Sequence, residues 1–571
     1  MTGFVMGRWS FFILLLLLLQ GRLVAQEAVV EPLPPKVAVA SAHPLATAAG
    51  IKILAAGGNA FDAAVAVAAT LAVVEPYGSG LGGGGFWLLH SAEDGVDVML
   101  DGRERAPLAA TRNLYLDKKG EVVANLSVNG PLAAGIPGVP AALDLLAKKY
   151  GRLSLAESLA PAIEAAKKGF VVDKVFRQMA GFRLTALQDS PAASAVFLRD
   201  NQVPKEGARL IQSDLAWTLE QMADRGAEGF YQGEVAGRLL KSVTESGGIW
   251  QQKDLDQYSV VEREPIRAEY HGMSVISAAP PSSGGVALAT IFNVLQEFDV
   301  DMRDPVVRKH LVVEAMRRAY RDRAEFLGDP DFVPVPVARL THPLYAAGLR
   351  ASIRENKATP SEMLPGVAPA TSGGNTTHYS ILDREGNRVA ATLSVNYPFG
   401  SGFVAAGTGV LLNDEMDDFS AKPGVPNLYG LVGGEANAIA PGKRMLSSMS
   451  PTFLEYKDRV AILGTPGGSR IITMVLLSSL AFQQGANAEE MVKLPRFHHQ
   501  FLPDQIQYET GAFGREEAFG LQWMGHELQK LDRSYGNMQV VVWDKQKQKV
   551  EAASDPRGIG AATVKFVSSQ E

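Results

Sequence analysis

The chain has 571 residues, a net charge of −6, and 46% hydrophobic against 20% charged residues, enough apolar material for one large layered domain or two smaller ones. The acidic balance, without a basic stripe interleaved with aromatics, argues against a nucleic-acid partner. With no cysteine, disulfides, thiol catalysis and a lipid-anchored mature N-terminus are excluded.

Arg8 precedes a nine-residue apolar run at 11–19 and then Leu23-Val24-Ala25. A bilayer of about 30 Å takes about 20 apolar residues to span, so residues 1–25 read as a signal peptide cleaved after Ala25, with a retained anchor as the alternative. No later stretch is long and apolar enough to cross a membrane, and a periplasmic or secreted protein is expected. A Pro-rich entry leads to an alternating strand at 37–40 and two Ala-rich helices at 45–56 and 61–74, stopped by Gly57-Gly58 and Pro76. Gly80-Leu81-Gly82-Gly83-Gly84-Gly85 formally satisfies the dinucleotide-binding glycine pattern. However, a helix precedes it and a strand (86–89) follows, the reverse of what that fingerprint needs. Residues 101–107 (DGRERAP) read by themselves as a charged surface turn. Ser154-Leu155-Ala156-Glu157 has capping-box spacing and opens a helix ending near Gly169. Another helix covers 214–225 and closes at Gly226, and 300–330 is charged and helical. Residues 355–375 turn polar and small, an exposed connection where a backbone break does least harm.

From Thr377 the apolar period changes to two. Residues 379–382 and 388–395 form a hairpin, as do 452–456 and 459–463, and a helix begins near Ile471. Strands flanked by helices on both sides imply a layered α/β or α+β arrangement. Gly467-Gly468 just before that helix leave N–H groups at its positive end, a geometry that suits a developing oxyanion. Gly373-Gly374-Asn375-Thr376-Thr377-His378 carries a different chemistry. A threonine hydroxyl needs an adjacent base, and a threonine that becomes a chain N-terminus supplies its own, because a free α-amine titrates near 8. P-loop, nucleophile-elbow and H-E-x-x-H motifs are absent, and the adjacent His498 and His499 point opposite ways on a strand, so no metal site is expected.

Together these pieces resemble the γ-glutamyltransferases (γ-glutamyl transpeptidases, glutathione hydrolases), N-terminal-nucleophile hydrolases of bacterial type. The motifs run through almost the whole chain: residues 57–64 and 75–85, then Thr376-Thr377-His378-Tyr379-Ser380, 413–420 (NDEMDDFS), 446–451 (LSSMSP), 466–470 (PGGSR), 495–500 (PRFHHQ) and 553–557 (ASDPR). The resemblance implies an α+β fold, a four-layer αββα sandwich. It implies autocleavage between Asn375 and Thr376, leaving a large subunit (26–375) and a small one (376–571) as a heterodimer without cofactor. Thr376 would then be nucleophile and base, with Ser394 supporting it where relatives commonly have threonine, and Gly467 and Gly468 would form the oxyanion hole. Arg103, Ser447 and Ser448 would hold the α-carboxylate of a γ-glutamyl donor such as glutathione. Asn396, Glu415 and Asp418 would hold its α-ammonium, and Tyr429 would gate the site from a lid at 422–438. Water, amino acids or peptides would accept the γ-glutamyl group. The alternatives are a glutaryl-type (cephalosporin) acylase of the same superfamily, which the acidic pair argues against, and an inactive scaffold homologue.

Overall fold

The computed structural model describes Thr2, residues 32–364 and residues 376–567, except 423, 426, 428–430 and 432. The rest of the expected signal segment, Asn375 and Tyr429, the expected gate residue, lie outside the described residues. Thirteen strands build two large sheets: β1 (Val37–Ser41), β2 (Gly84–Ser91), β3 (Val96–Gly102), β4 (Val261–Arg263), β5 (Ile266–Tyr270), β6 (Met273–Ser277), β7 (Thr377–Leu382), β8 (Arg388–Ser394), β9 (Thr452–Tyr456), β10 (Arg459–Gly464), β11 (Gln539–Asp544), β12 (Lys549–Ser554) and β13 (Ala561–Lys565). The first sheet has the order β13-β1-β7-β8-β2-β3-β4 and the second β12-β11-β10-β9-β6-β5. Both are antiparallel throughout.

Period-two patterning sorts the side chains into layers. In β1, Val37 and Val39 join one core while Ala38 and Ala40 join the other, and in β2 Trp87 and Leu89 alternate in the same way with Phe86 and Leu88. The first core takes in helices α1 (Pro44–Ala55), α2 (Ala60–Val74), α3 (Leu155–Lys168) and α4 (Ser213–Arg225). The second fills the space between the sheets and packs α5 (Gly284–Leu295), α6 (Pro305–Phe326) and α7 (Ile471–Gln483) on the far side. The result is the αββα sandwich that the resemblance implies. Helix starts follow local chemistry: Asn59 and Asp62 close a capping box on α2, and Ser154 and Glu157 close one on α3.

Two features position the site. Strands β7 and β8, which follow Thr376, sit between β1 and β2, which precede it, with Ser380 opposite Ala40 and Leu393 opposite Gly85. The segments on either side of residue 376 therefore share one sheet, and neither has a complete core without the other. The glycine run acts in the same place. A Cβ at Gly82 would stand 2.1 Å from the Leu411 carbonyl oxygen, and one at Gly83 2.1 Å from that of Ser394. These residues are small because backbone lies flat on backbone, and Gly84 and Gly85 continue into β2 instead of opening a helix.

The charged helix α6 is buried along most of its length from His310 to Ala324. Paired charges make that tolerable: Glu314 meets Arg318 at 2.6 Å and Arg317 at 3.3 Å.

Candidate active site

The expected surface turn at 101–107 is a buried strand end. Asp101 closes β3 against Arg263 (2.8 Å), and Arg103 and Glu104 are 1% and 0% exposed. The Arg103 guanidinium is held on every side. It reaches Asp418 at 2.5 Å, Glu415 at 3.0 Å and Glu104 at 3.6 Å, and it donates to the Met445 and Leu446 carbonyls at 3.2 and 3.3 Å. Burial works to lower its pKa, but Glu415, Asp418 and Glu104 outweigh it and leave the group raised. The resemblance assigns Arg103 and the two acids to opposite ends of a ligand. Within the pocket they also pair with each other.

Glu415 and Asp418 lie on one 3-10 turn, Glu415–Asp418. Asn413 anchors that turn: its side chain bonds the Gly82 and Gly135 carbonyls at 2.7 and 2.8 Å and accepts from Glu415 N–H at 3.0 Å. Burial raises the Glu415 carboxyl to about 7, against the pull of Arg103 and with the help of Asp418. Burial also raises Asp418, and it pushes Glu104 well above the usual carboxylate range. A pair of acids in this state has room for one cation.

Arg103, Glu415 and Asp418 line a cavity of about 290 Å³ together with Thr376, Ser394, Asn396, Ser447, Ser448 and Gly468. Thr376 is 4% exposed just before β7, and Ser394 ends the neighbouring β8. Asn396 takes a left-handed conformation (φ 73°), donates its backbone N–H to Ser394 Oγ at 2.7 Å and its amide to the Asp414 carbonyl at 3.0 Å. Gly467 (φ 145°) and Gly468 (φ 57°) both adopt positive φ before the turn into α7, and a Cβ at Gly467 would meet Met474 Cε at 2.6 Å. Neither amide donates a backbone hydrogen bond among the described residues, so both are available to an oxyanion. Ser447 Oγ accepts from Met449 N–H at 3.1 Å, and Ser448 Oγ accepts from Arg323 Nη2 at 3.1 Å. From the segment expected to form a lid, Leu431 lines the cavity and Asn427 donates to Asp418 at 3.1 Å.

A second, larger cavity of about 1570 Å³ also opens on Thr376 and Gly467. Arg470, Arg533, Gln507 and Gln529 line it with Glu75, whose carboxyl burial lifts to about 8. Sequence reasoning missed Glu75, Glu104 and Arg323. Glu104 stands beside a residue it selected, whereas nothing in the local pattern of α6 singles out Arg323.

His498 and His499 lie at the end of a short strand, Phe497–His498, each buried with its own partners: Thr473 and Gln500 for the first, Asp504 for the second. Among the described residues His310, Glu314 and His526 come close enough to suggest a metal triad. Most of their polar atoms are already engaged: His310 Nδ1 meets His526 Nε2 at 2.7 Å, His310 Nε2 meets the Arg354 carbonyl at 2.8 Å and Glu314 holds two arginines, while His526 Nδ1 has no partner among the described residues.

A family model described as gamma-glutamyltranspeptidase matches residues 46–565. The chain is 46% identical over 502 residues to the glutathione hydrolase proenzyme of Pseudomonas sp. (strain A14), covering 85% of this chain and 86% of that protein. The cephalosporin acylase from Bacillus halodurans superposes with a TM-score of 0.80 at 28% identity, over 94% of this chain and 96% of that one. A gamma-glutamyltranspeptidase chain from Helicobacter pylori gives 0.56 at 41% identity, over 57% of this chain and 94% of that one. The chain belongs to the γ-glutamyltranspeptidase family.

Proposed function

We propose that this protein is a self-processing γ-glutamyltransferase and glutathione hydrolase. In the precursor, Thr376 Oγ adds to the Asn375 carbonyl, the Asn375–Thr376 C–N bond breaks, and the hydroxyl proton passes to the nitrogen, which becomes the new α-amine. Water then hydrolyses the ester, leaving a large subunit of 26–375 and a small one of 376–571. The interleaving of β7 and β8 between β1 and β2 supports a heterodimer that stays together after the cut. The short apolar run at 11–19 supports export to the periplasm or medium. Among the described residues no helix is long and apolar enough to cross a membrane.

In turnover the Thr376 amine takes the hydroxyl proton as Oγ attacks the γ-carbonyl of the donor, and the Gly467 and Gly468 amides hold the oxyanion. The proton passes to the departing amine, leaving a γ-glutamyl ester that water, an amino acid or a peptide resolves. The second cavity gives the leaving group and the acceptor a way to the same carbonyl, and its arginines suit acceptors that carry a carboxylate.

The observation that carries this reading is the opposed charge within one small cavity. Arg103 and the Ser447-Ser448 hydroxyls meet a carboxylate, while Glu415 and Asp418, with Asn396, meet an ammonium. A glutaryl group has no ammonium and would leave a buried acid pair without its cation, which disfavours the acylase reading despite the overall likeness to an acylase. Hydrolysis of γ-glutamyl- and glutaryl-p-nitroanilide separates the two. We expect kcat/KM to favour γ-glutamyl by about 10²-fold or more, the scale of one or two charged hydrogen bonds. A preference for glutaryl overturns the assignment, and no turnover of either by the cut protein favours a scaffold.

A pH dependence follows from the same acids. Burial lifts the Glu415 carboxyl to about 7, and it must be ionised to hold the donor ammonium, so donor affinity is lost as pH falls through that range. The plot of log(kcat/KM) against pH should carry two rising limbs, one through about 7 from Glu415 and one near 8 from the Thr376 α-amine, which must be unprotonated to act as base, and Glu415→Gln should remove the first alone. A limb near 7 that survives the substitution belongs to another group.

A further inference from the structure

Arg103 cannot by itself make the carboxylate end of the pocket positive. Its charge is already matched by Glu415 at 3.0 Å and Asp418 at 2.5 Å. A second guanidinium lies behind the serine pair. Arg323, on α6, is buried, donates to Ser448 Oγ at 3.1 Å through Nη2 and to Ser283 Oγ at 2.9 Å through Nε. Ser283 passes the link on, donating its hydroxyl to the Ser447 carbonyl at 2.7 Å and its backbone N–H to the same oxygen at 2.8 Å. Arg323 forms no ion pair among the described residues, and Asp418, the carboxylate that acts on it electrostatically, is the one bonded to Arg103. Burial lowers it only to about 10, so it stays cationic at neutral pH.

We infer that Arg323 is a specificity-determining positioning residue: it orients Ser447 and Ser448 and supplies the unmatched positive charge that selects acyl donors bearing an α-carboxylate. The inference rests on the donor reading above and deepens it. Its physical core is the direction of the hydroxyls. Ser448 Oγ accepts from Arg323 and Ser447 Oγ accepts from the Met449 amide, so each keeps its own proton to donate, and both line the cavity. Two hydroxyls aimed this way, with a cation behind one of them, bind an anion by charge-assisted hydrogen bonds. A lysine is a point charge and lacks the fixed spacing of Nε and Nη2 with which Arg323 bonds Ser283 and Ser448.

The test compares γ-glutamyl-p-nitroanilide with 4-aminobutyryl-p-nitroanilide, the same acyl chain without the α-carboxylate, read as turnover or as competitive inhibition. In the cut enzyme, Arg323→Gln should raise KM for the γ-glutamyl compound about 10- to 100-fold, the worth of one charged hydrogen bond. Binding of the 4-aminobutyryl compound should stay within about twofold, and kcat should change little. Arg323→Lys should show the same selective loss at smaller size, which keeps the test available if the glutamine variant does not mature. Adding Ser448→Ala to either variant should then cost less than Ser448→Ala costs alone. Equal losses for both compounds would mean a structural role, and no loss for either would mean no role; both overturn the inference. Failure of the unmodified enzyme to prefer γ-glutamyl over 4-aminobutyryl refutes the donor reading itself, a separate result.

Discussion

Thr376→Ala should leave one uncut chain with no measurable turnover. The change removes the only atom that we propose both opens the Asn375–Thr376 bond and later carries the acyl group. Where a nucleophile acts together with its base, its loss removes the contribution of the whole unit, on the order of 10⁴- to 10⁶-fold in kcat. The fold should survive. Thr376 lies just before β7, and the ladder to β1 and β8 is built from backbone bonds that an alanine beyond its edge leaves in place. Intact mass and denaturing electrophoresis read the cut, and circular dichroism reads the fold. Thr376→Ser, which keeps the oxygen, should still split and retain part of the activity. A Thr376→Ala protein that splits at the same bond would show that another group makes the attack.

The layers were legible for a definable reason. Each signal that held is local: the alternation in β1, the capping box of α3, the hairpin of β7 and β8, and the helix start near Ile471. The site is not local. Arg103 and Asp418 meet at 2.5 Å across 315 positions of sequence, and no periodicity brings them together; the resemblance to a family did. Even so, it missed their state. It assigned them to a ligand carboxylate and a ligand ammonium and gave no sign that, buried together, opposite charges also pair with each other. Arg323 was missed for a related reason. A helix as charged as α6 reads as solvent-facing, and only its tertiary partners, Glu314 with two arginines and the serines of two loops, make its burial possible. The turn at 101–107 failed in the same way. Charge marks a surface unless the countercharge comes from elsewhere in the chain, and local sequence does not show where elsewhere is.

That mutual pairing determines which substitution tests Arg103. Arg103→Ala would leave Glu415 and Asp418 together in a buried site with their countercharge gone, a loss of about 3–5 kcal/mol that would confound binding with stability. Arg103→Lys keeps one charge and removes the fork. A single ammonium cannot face Glu415, Asp418 and the Met445 and Leu446 carbonyls in the way the guanidinium does. Losing one or two charged hydrogen bonds at about 1.5–3 kcal/mol each should lower kcat/KM for the γ-glutamyl donor by about 10²- to 10³-fold. Because the α-carboxylate lies away from the reacting carbonyl, ground state and transition state should lose the contact alike, placing the loss in KM and leaving kcat within a few-fold. Cleavage should proceed, since the scissile bond uses Thr376 and not the donor's charged end. A lysine variant that is fully cut, keeps the wild-type KM and loses kcat would place Arg103 at the chemistry, not at the carboxylate.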